Sequence, residues 1–307
     1  MQPNLILSNI IIDDITLANG RHLPHVLGGA ATYAAVAARL WWDDVAILAG
    51  VGADLTAMTE GQLTAYGLRD EGHLVRSQHT IQSRLVYRPD GSRTETPVHG
   101  PKHFATLQAT PADIPKSLLP ARGTYVFRDL DLAYWAEIEK QRPQLGTLLW
   151  ELQDENIAGR WAEVAALVPL CDLFSFNLSE ARSLLGDTAP KDIVASVLAA
   201  GAKAVILRMG AEGALIGTYR QVFHVTPPAS DVIDVTGGGN AFCGGFLAGW
   251  LLGSGDATFA TRRAAASAAH ALSQFGPGNP RNRSQPLEWM AATKIVPIRE
   301  GKTHEPI

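Results

Sequence analysis

The chain has 307 residues, 46% of them apolar and 18% charged, with a formal charge of −4. That is ordinary globular composition with ample material for a core, and it excludes a collagen-like, low-complexity or disordered chain. A pI near 6.1 leaves no basic footprint for nucleic acid or an anionic membrane surface.

Cys171 and Cys243 both lie in apolar segments. Two such thiols suit reduced, buried residues of a cytoplasmic protein better than a disulfide framework or a zinc site. The N-terminus lacks the basic region and small-residue cleavage site of a signal peptide. The longest apolar run, Ala241 to Leu252, is too short for a membrane span. Its Gly245-xxx-Gly249 spacing suits close packing of a core helix. The expectation is a cytoplasmic chain with neither nucleic acid nor membrane as partner.

In chain order, Leu5–Ile12 reads as a strand buried on both faces, and Gly28-Gly29 precedes an alanine-rich helix over Ala30–Leu40. Val45–Leu48 reads as a strand and Asp54–Tyr66 as a helix. Ser83–Tyr87 and Arg93–Val98 flank the turn Pro89-Asp90-Gly91-Ser92, which predicts an antiparallel hairpin. With Asp13–Pro24 it forms a candidate lid. Pro111–Pro120 reads as a long loop. Strands follow at Thr124–Phe127, Thr147–Trp150, Leu173–Phe176 and Ala204–Arg208. Helices are predicted at Leu132–Lys140, Ile157–Leu167, Ser179–Leu185, Asp192–Ala200, Phe242–Leu252 and Thr258–Ser273. This alternation predicts an α/β fold with a mainly parallel sheet. Residues beyond Pro277 show little pattern, and Arg299–Ile307 reads as a frayed tail.

The most informative stretch is Asp231-Val-Ile-Asp234-Val-Thr236-Gly237-Gly238-Gly239-Asn240. Glycines opening an apolar helix place unpaired N–H groups and the positive dipole end where an anion can approach. The same run also reads as a plain turn before a core helix.

Four separated features together resemble the ribokinase/PfkB-type carbohydrate and nucleoside kinases. They are Asp13-Asp14 followed by Gly28-Gly29 and a run of small residues; Asn177-Leu-Ser-Glu180; Arg208-Met-Gly210-Ala-Glu-Gly213; and the glycine run, which resembles Asp-Thr-x-Gly-Ala-Gly-Asp. Trp150-Glu151 and Ser273-Gln-Phe-Gly276 look most similar to an uncharacterised, partly fungal branch with the same Gly-Gly-Gly-Asn variant. The resemblance spans about residues 5 to 276. It implies one ribokinase-like domain over 1–307, a three-layer α/β/α unit with β lid elements near 13–25 and 80–105.

The implied activity is transfer of the γ-phosphoryl group of ATP to an alcohol of a sugar, polyol or nucleoside, with Mg²⁺. Gly237, Gly238 and Gly239 match an anion hole, Asp234 helps hold the motif, and Thr236 belongs to the nucleotide side. Asn177 and Glu180 match the pair that orders Mg²⁺, Glu180 acting through water. Arg208, Gly210 and Gly213 match the approach to the nucleotide phosphates. Asp13, Gly28 and Gly29 match the substrate side, and a homodimer through the lid is a family-level expectation.

Two departures matter. Tyr33 stands where the family places a substrate-binding Asn, which offers an aromatic wall or else a side chain turned into the core. Asn240 stands at the position of the catalytic base, and an amide accepts no proton at neutral pH. Asp234 or Asp231 could relay the proton instead. Asn240 also keeps alive a second reading, a catalytically impaired protein that binds nucleotide or metabolite as a sensor or assembly partner. Elsewhere, His99-x-x-x-His103 has a metal-like spacing broken by Gly100-Pro101, Asp129 and Asp131 read as helix caps, and Trp41-Trp42 as packing at a helix end. The glycines lack the spacing of a dinucleotide fingerprint.

Overall fold

The computed structural model describes residues 2–90, 92–153 and 156–298. The Arg299–Ile307 tail and Gly91 of the predicted turn lie outside the described residues. The apolar run Leu5–Ile12 is not one strand. It splits into β1 (Asn4–Leu7) and β2 (Ile11–Thr16), which belong to different sheets. Two buried runs separated by Ser8-Asn9 carry the same hydrophobic pattern as one long strand, so periodicity cannot separate them. Gly29, at φ 87°, makes the crossing feasible, because a Cβ there would run into Asn9 O and Ile11 N.

The chain continues through β3 (His22–Gly28), α1 (Ala30–Arg39) and β4 (Val45–Gly52). The helix expected over Asp54–Tyr66 is two single turns, α2 (Leu55–Met58) and α3 (Gln62–Ala65). They part where Glu60 and Gly61 take positive φ values of 48° and 71°. Next come β5 (Leu68–Arg69), β6 (His73–Ser77), the expected hairpin β7 (Ile81–Tyr87) and β8 (Arg93–Pro97), and α4 (Pro101–Thr106). The second half begins with β9 (Gly123–Arg128), α5 (Leu132–Gln141) and β10 (Thr147–Leu152). Then α6 (Trp161–Leu167) starts later than expected, after a turn with Gly159 at φ 71°. β11 (Leu173–Asn177), α7 (Leu178–Leu185), α8 (Pro190–Ala199) and β12 (Ala204–Arg208) follow the predicted order. β13 (Ala214–Thr218) and β14 (Val222–Thr226) precede α9 (Gly238–Leu252) and α10 (Ala257–Leu272). The stretch that showed little pattern holds α11 (Ser284–Ala292) and β15 (Lys294–Pro297), the latter pairing with β14.

Among the described residues the main sheet runs β15-β14-β13-β12-β11-β10-β9-β1-β4-β5, with β6 on β4. It is parallel from β12 to β5 and antiparallel beyond β12. One face packs on α1, α9 and α10, the other on α5 to α8. This is the ribokinase-like α/β/α arrangement. The glycine stripe of α9 explains its close seat: a Cβ at Gly245 would meet the Ser267 side chain at 2.7 Å, and one at Gly249 would meet Ala260 Cα at 2.7 Å, both on α10. Strand order reverses between β1 and β9, which in open parallel sheets places a crevice outside the carboxyl ends of those strands. The second sheet, β3-β2-β7-β8, lies beyond β1.

Candidate active site

The predicted site residues come from the carboxyl ends of β11 and β12, the start of α9, the start of α1 and the small sheet. The helix opens earlier than expected, with Gly237 as its cap at φ 72° and Gly238 and Gly239 in its first turn. The first N–H groups of any α-helix have no partner within it. Gly237 and Gly239 are also demanded from inside the protein, while Gly238 is crowded only by the end of a flexible side chain. A Cβ on Gly237 would land on the Tyr33 ring, one on Gly238 would meet Leu272 Cδ2 at 2.8 Å, and one on Gly239 would strike the Arg208 guanidinium.

Tyr33 is therefore not a wall of an open pocket. It is 3% exposed and lies under Gly237. Burial, with the carboxylates of Asp234 and Asp13 nearby, pushes its phenol well above the ordinary range. A large flat ring fills the space that the missing Cβ leaves.

The small sheet is bonded to the glycine motif. Tyr87 Oη donates to Asp234 Oδ1 at 2.8 Å, and the same oxygen accepts from Thr236 N at 3.0 Å and Thr236 Oγ1 at 2.7 Å. Arg93 donates to the Thr236 hydroxyl and to Tyr87 Oη, and lies 3.6 Å from Asp234. Asp234 thus braces the motif against the hairpin; as a relay base it would have to give up these bonds. Asp231 is exposed. Asp13 faces inward from β2, 6% exposed, and its carboxyl crowds the space a Cβ on Gly28 would need. Burial, then the Glu95 carboxylate, raises its pKa to about 7, with Arg93 opposing and Asp234 adding to the rise.

Asn240 turns inward. Its Nδ2 donates to Tyr125 Oη at 3.1 Å and to Glu151 Oε1 at 3.2 Å, while Tyr125 Oη donates to Glu151 Oε2 at 2.7 Å. Arg208 does not reach out towards a ligand. Its Nη1 lies 3.0 Å from Glu151 Oε1 and its Nη2 3.7 Å from Glu180, and its Nε donates to Ser175 Oγ at 3.2 Å. A buried guanidinium needs counter-charges, and these carboxylates raise its pKa against the opposing effect of burial. Neither Glu151 nor Tyr125 was among the predicted site residues. The available signal was a carboxylate ending the apolar run Leu148-Leu149-Trp150, since a charge buried there requires partners.

Asn177 and Glu180 form a reciprocal cap on α7: Asn177 Oδ1 accepts from Glu180 N at 2.8 Å, and Glu180 Oε2 accepts from Asn177 N at 2.6 Å. Asn177 Nδ2 also donates to Glu180 Oε1 at 2.6 Å, so both carboxylate oxygens are engaged in the cap. Among the described residues there is no group of three or more His, Cys, Asp or Glu that could hold a metal ion. A Cβ on Gly210 would meet nothing within 4 Å, whereas one on Gly213, at φ 90°, would collide with Val225 O. Gly213 closes the turn onto β14; Gly210 leaves its backbone approachable.

A model of the pfkB family of carbohydrate kinases matches residues 8–284. The chain belongs to that family. A cytidine kinase of Thermococcus kodakarensis is 26% identical, covering 81% of this chain and 88% of the relative. An uncharacterized protein of Schizosaccharomyces pombe is 24% identical over 94% of this chain and 90% of its own length. A putative ribokinase II from E. coli, solved with ATP and Mg²⁺, superposes with a TM-score of 0.76 at 19% identity, covering 95% of this chain and 98% of that one. At that identity the likeness shows the fold alone.

A cavity of about 410 Å³ opens at the β1/β9 switch point, lined by Asn9, Ile81, Phe104, Phe127, Arg128 and Gln153 among others. A larger depression of about 680 Å³ lies at the opposite ends of the strands, by Lys203, Arg220 and Thr258, and neither lining includes a predicted site residue. The other constellations are structural. His99 stacks against His79 at 4.8 Å and neighbours His103 at 5.0 Å. Asp131 caps α5 through Ala133 N and Tyr134 N. Trp41 Nε1 donates to Ser267 Oγ at 2.8 Å. Both cysteines are buried and free. No helix among the described residues is long and apolar enough to cross a membrane.

Proposed function

We propose that this protein is an ATP-dependent, Mg²⁺-assisted kinase that transfers the γ-phosphoryl group to a hydroxyl of a sugar, polyol or nucleoside. The observation that carries the reading is the meeting of a helix-start glycine turn with an inward carboxyl, Asp13, from the small sheet, within a chain of the pfkB family. The N–H groups of Gly238, Gly239 and Asn240 stabilise charge on the phosphoryl oxygens. Asp13, poised near pH 7, exchanges hydrogen bonds with acceptor hydroxyls, and the hairpin acts as a lid fastened through Tyr87 and Arg93. Glu180 and Asn177 would hold Mg²⁺ through water, and the ion would supply neutralisation of phosphate charge. Asn240 Oδ1 orients the attacking hydroxyl; with no base at position 240, the proton passes to a transferred phosphoryl oxygen or to water as the new O–P bond forms and the bond to the ADP oxygen breaks. A largely dissociative transition state tolerates that loss, because most of the catalysis is positioning and electrostatics.

The inward amide of Asn240 is the one observation that favours the sensor reading. ATP-dependent phosphorylation of a panel of sugars, inositols and nucleosides separates the two. Slow, measurable transfer is expected. Tight nucleotide binding with no transfer to any acceptor overturns the kinase reading.

A further inference from the structure

Building on that kinase reading, we propose that Glu151 is the positioning residue of phosphoryl transfer: it holds Asn240 in its working orientation and excludes a carboxylate from position 240. The geometry is specific. Glu151 sits at the end of β10, 1% exposed, and accepts from Asn240 Nδ2 at 3.2 Å. A carboxylate only accepts, so the amide must present its nitrogen to Glu151, which settles which way Asn240 is turned. The second hydrogen of that nitrogen goes to Tyr125 Oη at 3.1 Å. Both donors are used inward, and Oδ1, which has no hydrogen-bond partner among the described residues, is left as the acceptor for a hydroxyl.

Tyr125 and Arg208 fix Glu151 in turn, one oxygen each, and Gly239 is the residue whose missing side chain admits the Arg208 guanidinium. An aspartate at 240 would bring a second buried carboxylate against Glu151 where the amide now donates. Two carboxylates at that distance cannot both ionise. The amide at 240 and the carboxylate at 151 are therefore one unit. An acidic residue on the helix becomes workable only if the strand residue gives up its charge.

The test compares Glu151→Gln, Asn240→Asp, the double variant Asn240→Asp/Glu151→Gln and Tyr125→Phe, by thermal melting and by transfer kinetics on the panel acceptor that wild type uses. Glu151→Gln is expected to lower kcat by about 10- to 100-fold, the scale of a lost orientation, with both KM values within two-fold. Tyr125→Phe, which keeps the ring, should lower kcat in the same sense if Glu151→Gln folds poorly. Asn240→Asp should melt earlier than wild type, and the double variant should regain both Tm and kcat relative to that single variant. Additive effects on Tm, or an Asn240→Asp enzyme faster than wild type without the second change, would overturn the pairing. If wild type transfers to no acceptor while the Tm coupling persists, the kinase reading fails, and with it the catalytic role of Glu151; the Tm coupling then shows only a structural pair.

Discussion

Replacing Gly237 with alanine isolates the packing role of the glycine motif from its chemistry. Gly237 sits at φ 72°, where an L-residue pays roughly 1–2 kcal/mol for left-handed backbone. Its new Cβ would stand closer than 3.0 Å to three atoms of the Tyr33 ring. That ring is 3% exposed and is the middle of a side chain, not a flexible end, so it has nowhere to retreat. Overpacking of this kind costs about 1–3 kcal/mol. The combined loss is on the order of 2–5 kcal/mol, a large share of the ~5–15 kcal/mol that holds a domain. Urea unfolding should show the drop as a lower midpoint with an unchanged slope. Made in a Tyr33→Ala background, Gly237→Ala should cost only the backbone part, because the ring it overpacks is gone. A Gly237→Ala protein within ~0.5 kcal/mol of wild type, or one that Tyr33→Ala destabilises additively, would show that Tyr33 does not occupy the space beneath the turn.

Asp13 predicts a pH dependence with a definite sign. Its carboxyl has a folded pKa of about 7 against the ordinary aspartate value of 3.8, so between about pH 4 and pH 7 the folded state holds a proton that the unfolded state has lost. Stability should therefore fall as pH rises through that window, by roughly 4 kcal/mol at most from this group. Asp13→Asn should flatten the slope; an unchanged slope in chemical unfolding from pH 5 to pH 8 would place the titrating group elsewhere. Gly238→Val tests the anion site. Its Cβ meets only the end of the Leu272 side chain, so the fold should survive, while transfer falls about 10²–10³-fold, the scale of one lost oxyanion donor. Turnover within ten-fold of wild type would move the phosphoryl site away from this turn.

The layered α/β fold and the hairpin were legible because doubly buried strands and a Pro-Asp-Gly-Ser turn leave direct marks on the sequence. Leu5–Ile12 was misjudged because a strand that changes sheets has the same apolar pattern as one that does not. α11 and β15 were missed because both are half-exposed: Pro286 is the one buried residue of the helix, and β15 is an edge strand with Val296 57% exposed. At the site, the sequence placed Asp13, Gly237, Gly238, Gly239 and Asn240 together but not the orientation of Tyr33, Arg208 or Asn240. Those depend on which partner lies across the sheet. Glu151 reaches Asn240 across 89 residues of chain, and no local spacing encodes that contact.

The packing beneath the glycines also changes which residues bear on activity. An intact glycine run first suggests a working anion site, since a protein with no use for phosphate would have no need to keep the backbone bare. Here Tyr33 and the paired Arg208 require a missing Cβ at 237 and 239, so the fold demands those two glycines whether or not phosphate binds. The informative residues are those that the fold does not demand. Gly210 has open space around its Cα and only the turn's φ of 61° to justify it. Asp13 goes further, because it works against stability: a buried carboxyl facing Glu95 and Asp234 is a cost to the folded state above pH 4. Groups held at such a cost inside a cleft mark chemistry more reliably than groups that packing explains. Asp13→Asn should accordingly raise the urea midpoint at pH 8 while abolishing acceptor phosphorylation. A variant that loses stability, or one that keeps wild-type turnover, would remove Asp13 from the substrate site.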